Sequence, residues 1–147
     1  MALVSRRIKK SGLSATILIV DDEDLVRKII DRMLQPMGYC ILHAADGNEA
    51  LTICDQWKGA IHLMVTDVMM PGMSGIDLVD CATERWPSIK VLFTTGFASD
   101  AAMRRKTSNH PILSKPFTCD QLTGKVQELL SDQPDTSLVR ASQSRVQ

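Results

Sequence analysis

Short apolar runs alternate with longer amphipathic stretches along most of this chain. Each run is bounded by acidic residues, glycine or proline, which is typical of buried parallel strands. The stretches between them repeat apolar residues every three or four positions, which is typical of helices with one buried face. We therefore predict five strands, at 15–20, 39–45, 62–67, 91–96 and 111–114. The predicted helices are 25–37, 48–57, 74–86, 100–107 and 118–130.

Capping residues mark the ends of several predicted helices. Gly38, which tolerates a left-handed backbone, is expected to end the first helix, and Asn48 to cap the second. Ser74 is expected to cap the third, and Thr118 forms a capping box with Gln121 at the start of the last. The residues predicted to face inward from the first two helices are Leu25, Val26, Ile29, Ile30, Met33, Leu34, Met37, Ala50, Leu51, Cys54 and Trp57.

Strands that alternate with helices predict an α/β fold in which helices cover both faces of a parallel sheet. Right-handed crossovers leave few topologies, and strand order 2-1-3-4-5 is the common small one. We therefore predict a flavodoxin-like, doubly wound five-stranded sheet whose switch point lies between the first and third strands. A dinucleotide site is disfavoured, because the first turn, at 21–24, is acidic rather than glycine-rich.

Length and composition predict a single cytoplasmic domain. The chain has 147 residues and a formal net charge of +0, so charge favours neither nucleic acid nor an anionic membrane as a partner. No apolar run is long enough to span a bilayer, and the scattered cysteines suit a reducing compartment. We expect a flexible basic leader at 1–14, one domain at 15–130 and a disordered polar tail at 131–147.

Acidic residues follow the first strand and end the third. Asp21, Asp22 and Asp67 are expected at one edge of the sheet, where their charges would repel one another without a counterion. Mg²⁺, or Mn²⁺ in its place, would relieve that repulsion and leave positions for a phosphoryl oxygen. The acids at 21–24, taken alone, could equally be a solvated surface cluster. Asp67 on the neighbouring strand favours a metal site.

The adjoining strands end in a hydroxyl and a cation. Thr95 and Lys115 are predicted at the same edge of the sheet as the carboxylates. Lys115 could simply form a salt bridge with them. Together with a metal ion, however, a lysine and a hydroxyl supply the positive charge and hydrogen bonding that phosphoryl transfer needs. The nucleophile would then be an aspartate carboxylate, which forms an acyl phosphate.

Four ordered motifs stand out, at 20–23, 67–75, 94–96 and 114–117. Together they resemble the receiver domain of bacterial two-component response regulators. The run at 92–97 is similar to that of receivers fused to hybrid histidine kinases and of some stand-alone receivers. The resemblance covers 15–130 and rests on the four motifs. It implies that the chain takes a phosphoryl group from a histidine kinase or phosphotransfer protein and then signals to a protein partner. It implies a phosphoacceptor that slowly loses its phosphate, not a turnover enzyme.

The resemblance also implies a role for each metal-site residue. Asp67 would be the phosphoacceptor, and Asp22 and Asp67 would ligate Mg²⁺ directly. Asp21 would act through water, and the backbone carbonyl of Met69 would be a further ligand.

The same resemblance implies how the phosphoryl group is held. Thr95 would bind it, Lys115 would pair with it, and the peptide bond between Lys115 and Pro116 would be cis. One position departs from the family pattern: many receivers carry an aromatic residue three positions before the lysine, and here that residue is Ile112. The usual coupling between the threonine and an aromatic ring is therefore not implied for this chain.

Two other functions remain as alternatives. An aspartate-nucleophile phosphatase of the haloacid-dehalogenase type would want a second aspartate two residues after the nucleophile, where this chain has Met69. A pseudo-receiver would bind a partner without phosphorylation, although the intact acids, threonine and lysine argue against it.

The residues after Leu130 carry no apolar periodicity for a DNA-binding helix pair. We expect output through protein contact on the fourth and fifth helices and the strand between them.

Overall fold

The structure, a computed structural model, describes residues 14–96, 101–107 and 110–131. These residues form one parallel sheet of five strands in the order β2-β1-β3-β4-β5, as predicted. The strands are β1 (Thr16–Val20), β2 (Cys40–Ala44), β3 (Leu63–Asp67), β4 (Lys90–Thr95) and β5 (Ile112–Ser114). The helices are α1 (Asp24–Leu34), α2 (Gly47–Gln56), α3 (Gly75–Arg85), α4 (Ala101–Lys106) and α5 (Cys119–Ser131).

Every residue of β1 and β3 is buried, because helices cover both faces of the sheet. Successive side chains of β1 point to opposite faces. Leu18 and Val20 join a core cluster with residues of α2 and α3, whereas Ile17 and Ile19 join a second cluster with residues of α1 and α5. The two core clusters lie on opposite faces of the sheet, each between the sheet and a layer of helices. This is the predicted doubly wound arrangement.

Three predicted helix signals are confirmed. The Asp77 amide donates to Ser74 Oγ (3.1 Å) at the start of α3. Before α5, the Gln121 amide donates to Thr118 Oγ1 (3.1 Å), and the Thr118 amide donates to Gln121 Oε1 (2.8 Å). Gly38 adopts the left-handed backbone expected of it, with φ of 86°.

Two predicted helix boundaries were wrong. The first α-helix ends at Leu34 and continues as a 3-10 turn, Gln35–Met37, because the ring of Pro36 cannot be accommodated in the interior of an α-helix. Asp46, not Asn48, caps the second helix: its carboxylate accepts from the Glu49 amide at 2.8 Å. Asp46 lies in the extended conformation that a capping residue needs, whereas Asn48 already lies within α2.

Three residues predicted to face inward are exposed. Leu25 is 69% exposed and Ile29 44%, because the buried stripe of α1 runs through Ile30 and Leu34 and leaves these two on its flank. Trp57 is 37% exposed, because α2 ends at Gln56 and Trp57 lies in extended backbone beyond it.

The predicted leader at 1–14 and tail at 131–147 lie outside the described residues, apart from Ser14 and Ser131. Ser131 is the last residue of α5, one position beyond the predicted end of that helix. No helix in the described part of the chain is both long and apolar enough to cross a membrane.

Candidate functional site

Three carboxylates meet at the carboxyl-terminal edge of the sheet. Asp21 follows β1 and Asp67 ends β3, and these two strands are hydrogen-bonded neighbours. Oxygens of Asp21, Asp22 and Asp67 all lie within 4.8 Å of one another. Asp21 is 1% and Asp67 9% exposed, whereas Asp22 faces solvent. The structure therefore brings together the three carboxylates that the sequence placed at this edge.

Lys115 lies against two of these acids. Its Nζ is 3.3 Å from Asp21 Oδ2 and 3.3 Å from Asp67 Oδ2. The Lys115 amide donates to the carbonyl of Thr95 (2.8 Å), which ties the residue after β5 to the end of β4. The Lys115–Pro116 peptide bond is cis, as predicted.

At this site, burial and the oppositely charged neighbour shift the pKa of each group in opposite directions. Burial raises the pKa of Asp67, and the charge of Asp21 adds to the effect, while Lys115 and a hydrogen bond from the Met69 amide only partly offset it. Burial alone would lower the pKa of Lys115, but Asp67 and Asp21 together raise it, so the lysine remains a cation. A single lysine thus leaves the carboxylates with uncompensated negative charge. Three carboxylates suit a hard, oxygen-seeking divalent cation such as Mg²⁺ or Mn²⁺.

The backbone of Asp67 is held by residues on both sides of it. Thr66 Oγ1 donates to the Asp67 carbonyl at 3.0 Å, and the Gly75 amide donates to the Val68 carbonyl at 2.7 Å. A Cβ at Gly75 would lie 2.0 Å from the Asp67 carbonyl oxygen, so only glycine fits there. Gly72, with φ of 78°, supplies a left-handed turn in the loop between Asp67 and α3.

The remaining predicted site residues lie around this cluster. Thr95 is buried at the end of β4, directly after Thr94, the register partner of Asp67. Met69, two residues beyond Asp67, is 55% exposed. Ile112, at the position where many receivers carry an aromatic ring, is half-buried and pairs in register with Phe93.

The sequence prediction missed Arg27 and Gly75 as contributors to the site. Arg27 of α1 donates to the backbone carbonyl of Asp21 at 2.5 Å and to Asp24 Oδ1 at 2.7 Å. The three-residue spacing of Asp24 and Arg27 on a helix could have indicated that ion pair. Nothing in the sequence indicated the contact with the Asp21 carbonyl, or how closely Gly75 approaches Asp67.

The strand order and the acidic cluster at the edge of the sheet are those expected of a receiver domain, and comparison with known proteins agrees on the family. The model of the response regulator receiver domain matches residues 17–127, and the chain belongs to that family.

Three relatives illustrate the family. The chain is 41% identical to the sensor kinase CckA of Brucella abortus, over 82% of this chain and 13% of that protein. It is 33% identical to the response regulator receiver protein CpdR of the same organism, over 78% of this chain and 95% of that one. It also resembles the crystal structure of the Thermotoga maritima response regulator TrrA in complex with Mg²⁺ and BeF, with 30% identity, a TM-score of 0.70, and coverage of 79% of this chain and 99% of that one.

Proposed function

We propose that this chain accepts a phosphoryl group on the carboxylate of Asp67 in a Mg²⁺-dependent reaction. One observation carries the proposal: Asp67 lies in a cluster of three carboxylates, with Lys115 Nζ 3.3 Å from one of its oxygens. A buried nucleophile beside a cation and a metal-binding set of oxygens is the arrangement that phosphoryl transfer requires. The complex of the related TrrA with Mg²⁺ and BeF supports the choice of metal.

The contacts of the acids support different roles for them. Asp21 Oδ1 accepts from the Glu23 amide (2.9 Å) and its Oδ2 contacts Lys115, so much of its bonding capacity is already used. Within the described residues, the Asp22 carboxylate has no hydrogen bond or ion pair. We therefore assign direct ligation to Asp22 and Asp67 and a water-mediated contact to Asp21. The resemblance to receiver domains adds the backbone carbonyl of Met69 as a further ligand. The bound cation would neutralise the carboxylates and bind a phosphoryl oxygen.

Asp67, Lys115 and Thr95 would each have a separate role in phosphoryl transfer. An Asp67 oxygen attacks the phosphorus of a phosphohistidine; the new oxygen–phosphorus bond forms as the phosphorus–nitrogen bond breaks, and the imidazole keeps its electron pair. Lys115 balances the charge on the phosphoryl oxygens, and the Thr95 hydroxyl donates a hydrogen bond to one of them. Burial of Asp67 and Thr95 limits the access of competing water.

The donor would be a histidine kinase or a phosphotransfer protein, and the output another protein. Leu25 and Ile29 are exposed on α1, directly after the acidic segment at 21–24, and offer an apolar contact surface for the donor. We assign output to α4, α5 and β5, since Thr95 and Lys115 connect this side to the site. The proposed location is the cytoplasm, which fits the four free cysteines.

We propose that the chain is a phosphoacceptor rather than a turnover enzyme. An aspartate-nucleophile phosphatase would carry a second carboxyl group at position 69, and the side chain there is an exposed methionine. A phosphorylation-independent binding module would have no need for Lys115 between Asp21 and Asp67.

The test is incubation with acetyl phosphate and Mg²⁺, followed by intact mass. We expect wild type to gain one phosphoryl group, and the gain to disappear with EDTA or in Asp67→Asn. Asp55→Asn is the matched control, because Asp55 is an exposed aspartate paired with Arg85 away from the site. Labelling of Asp67→Asn at the wild-type level would refute the assignment. Absence of labelling in wild type, combined with partner binding, would favour the pseudo-receiver.

A further inference from the structure

Arg27 is a nearly buried arginine beside the acidic segment, with its side chain 12% exposed. Its Nη1 donates to the Asp21 carbonyl at 2.5 Å, and its Nη2 donates to Asp24 Oδ1 at 2.7 Å. Its Nε is buried and has no hydrogen-bond partner within the described residues. An unsatisfied buried donor lowers stability, so the burial of Arg27 is not explained by hydrogen bonding of the guanidinium alone.

The two contacts of Arg27 span the segment that carries the metal-site acids. Asp21 begins this segment at the end of β1, and Asp24 closes it as the first residue of α1. The Glu23 amide donates to Asp21 Oδ1 at 2.9 Å, and the Arg27 amide donates to the Glu23 carbonyl at 3.2 Å. Asp22 lies between these held points, and its own carboxylate makes no contact that would fix it within the described part of the chain.

We infer that Arg27 is a positioning residue for the metal site: its guanidinium ties the Asp21 carbonyl to Asp24 and so holds the Asp22 carboxylate within reach of Asp67. The inference rests on the proposed metal-dependent function of that site. Because the Asp22 carboxylate makes no contact of its own with the described residues, the conformation of the backbone on either side of it decides where its oxygens lie. Without the tie, the segment would have to be ordered at the moment of metal binding, which weakens affinity.

A positioning role and a purely electrostatic role of Arg27 predict opposite changes in metal affinity when the guanidinium is removed. The positive charge of Arg27 lies next to the Asp21 backbone, so it repels a cation bound by the neighbouring carboxylates. If charge were its only effect, removing the guanidinium would tighten metal binding. If Arg27 positions the ligands, removing it weakens metal binding despite the loss of repulsion.

The experiment is Mn²⁺ titration of the full chain, with free Mn²⁺ measured by electron paramagnetic resonance. Arg27→Met keeps the apolar stem and removes the charge, whereas Arg27→Lys keeps the charge and loses the two-point contact. Arg32→Met is the matched control, because Arg32 is an exposed arginine on the same helix. We expect the dissociation constant to rise about tenfold in Arg27→Met, equivalent to about 1.4 kcal/mol, and to rise in Arg27→Lys as well. Arg32→Met should bind as wild type does.

A second readout separates positioning from general loss of structure. Melting temperatures are measured in EDTA and in saturating Mg²⁺, and the difference between them reports the metal site alone. We expect this difference to shrink in both Arg27 variants. Saturating Mg²⁺ should also restore most of the rate of labelling by acetyl phosphate. If Arg27→Met does not fold, Arg27→Lys decides the question by the same measurements.

Each outcome either supports the inference or overturns it. Unchanged or tighter Mn²⁺ binding in the folded Arg27 variants would overturn it, while labelling of wild-type Asp67 would leave the proposed function intact. Absence of Mn²⁺ binding in wild type would overturn both. Weaker binding in both variants, with normal binding in Arg32→Met, supports the positioning role.

Discussion

At the scale of single residues, the site depends on how closely the backbone of the β3–α3 loop approaches Asp67. Gly75 is the sharpest case, because a Cβ there would lie 2.0 Å from the Asp67 carbonyl oxygen and 2.9 Å from its carbonyl carbon. Backbone atoms cannot rotate out of the way as a flexible side chain can. Any side chain at position 75 must therefore displace α3 from β3, the strand that ends in Asp67.

Gly75→Ala is expected to lower the free energy of unfolding by about 1–3 kcal/mol and to slow labelling of Asp67. The displaced loop moves Asp67 relative to Asp21 and Lys115. Urea denaturation and acetyl phosphate labelling measure the two effects. Gly124→Ala is the control: it lies within α5 with open space around it, and it should raise stability by about 0.5–1 kcal/mol. Equal stability of Gly75→Ala and wild type would contradict the close approach.

Met69 is expected to affect how long the proposed acyl phosphate on Asp67 survives. Its side chain is 55% exposed two residues beyond Asp67, and a thioether cannot orient a water for in-line attack. Sequence position alone suggests the same role for Phe97, which lies outside the described residues. We expect Met69→Asn to hasten decay of the phosphorylated protein by about tenfold, because the amide can hydrogen-bond the attacking water. Decay is followed by intact mass, with Leu25→Asn as an exposed control. Identical lifetimes would mean that Met69 does not shield the phosphoryl group.

At the scale of secondary-structure elements, α1 carries one set of buried and one set of exposed apolar side chains. Its inner stripe contributes Ile30 and Leu34 to the core, whereas Leu25 and Ile29 lie exposed beside the acidic segment. Exposed apolar side chains contribute little to folding, so this pair is available for the donor contact that we propose.

Leu25→Gln and Ile29→Gln are each expected to change the free energy of unfolding by no more than about 0.5 kcal/mol. Both should slow phosphotransfer from a histidine-phosphorylated donor without affecting labelling by acetyl phosphate, which needs no docking surface. Ile30→Ala is the contrasting variant: that side chain is 1% exposed, and its loss should cost about 2–4 kcal/mol. If both glutamine variants accept phosphate from the donor at the wild-type rate, α1 is not the docking surface.

At the scale of the whole molecule, the phosphoryl group would act through the end of β4. Thr95 is buried there, and its carbonyl accepts a hydrogen bond from the Lys115 amide. The next element along the chain is the short helix α4, which begins at Ala101. The described side chains of α4, at 104–106, are all exposed, so these three residues contribute little to the core. Elements with few buried contacts are those that change first in a switch.

Phosphorylation is therefore expected to alter amide hydrogen exchange over 95–107 more than over β1 or β3. Mass spectrometry with and without acetyl phosphate and Mg²⁺ makes the comparison, and Asp67→Asn under the same conditions controls for the additives. Changes confined to α1 would contradict this route to the output surface.

Much of the fold could be predicted because its signals are local. Apolar runs bounded by Asp or Gly marked the strands, and parallel connectivity then brought Asp21 and Asp67 to the same edge of the sheet. The caps at Ser74 and Thr118 were also predictable, since each is a contact between residues three positions apart. The cap of α2 was harder, because Asp46 and Asn48 are both suitable residue types and only the backbone conformation distinguishes them.

The sequence by itself determined the kind of fold, the strand order and the residue types available at the site. Helical spacing, however, could not separate Leu25 from Ile30, because which flank of α1 is covered depends on where α5 and the sheet lie. Tertiary structure alone decided that Arg27 holds the Asp21 carbonyl and that Gly75 packs on Asp67. The physical reason is range: secondary structure follows from neighbours within a few residues, whereas these two contacts depend on how α1 and α3 pack against the strands that precede them.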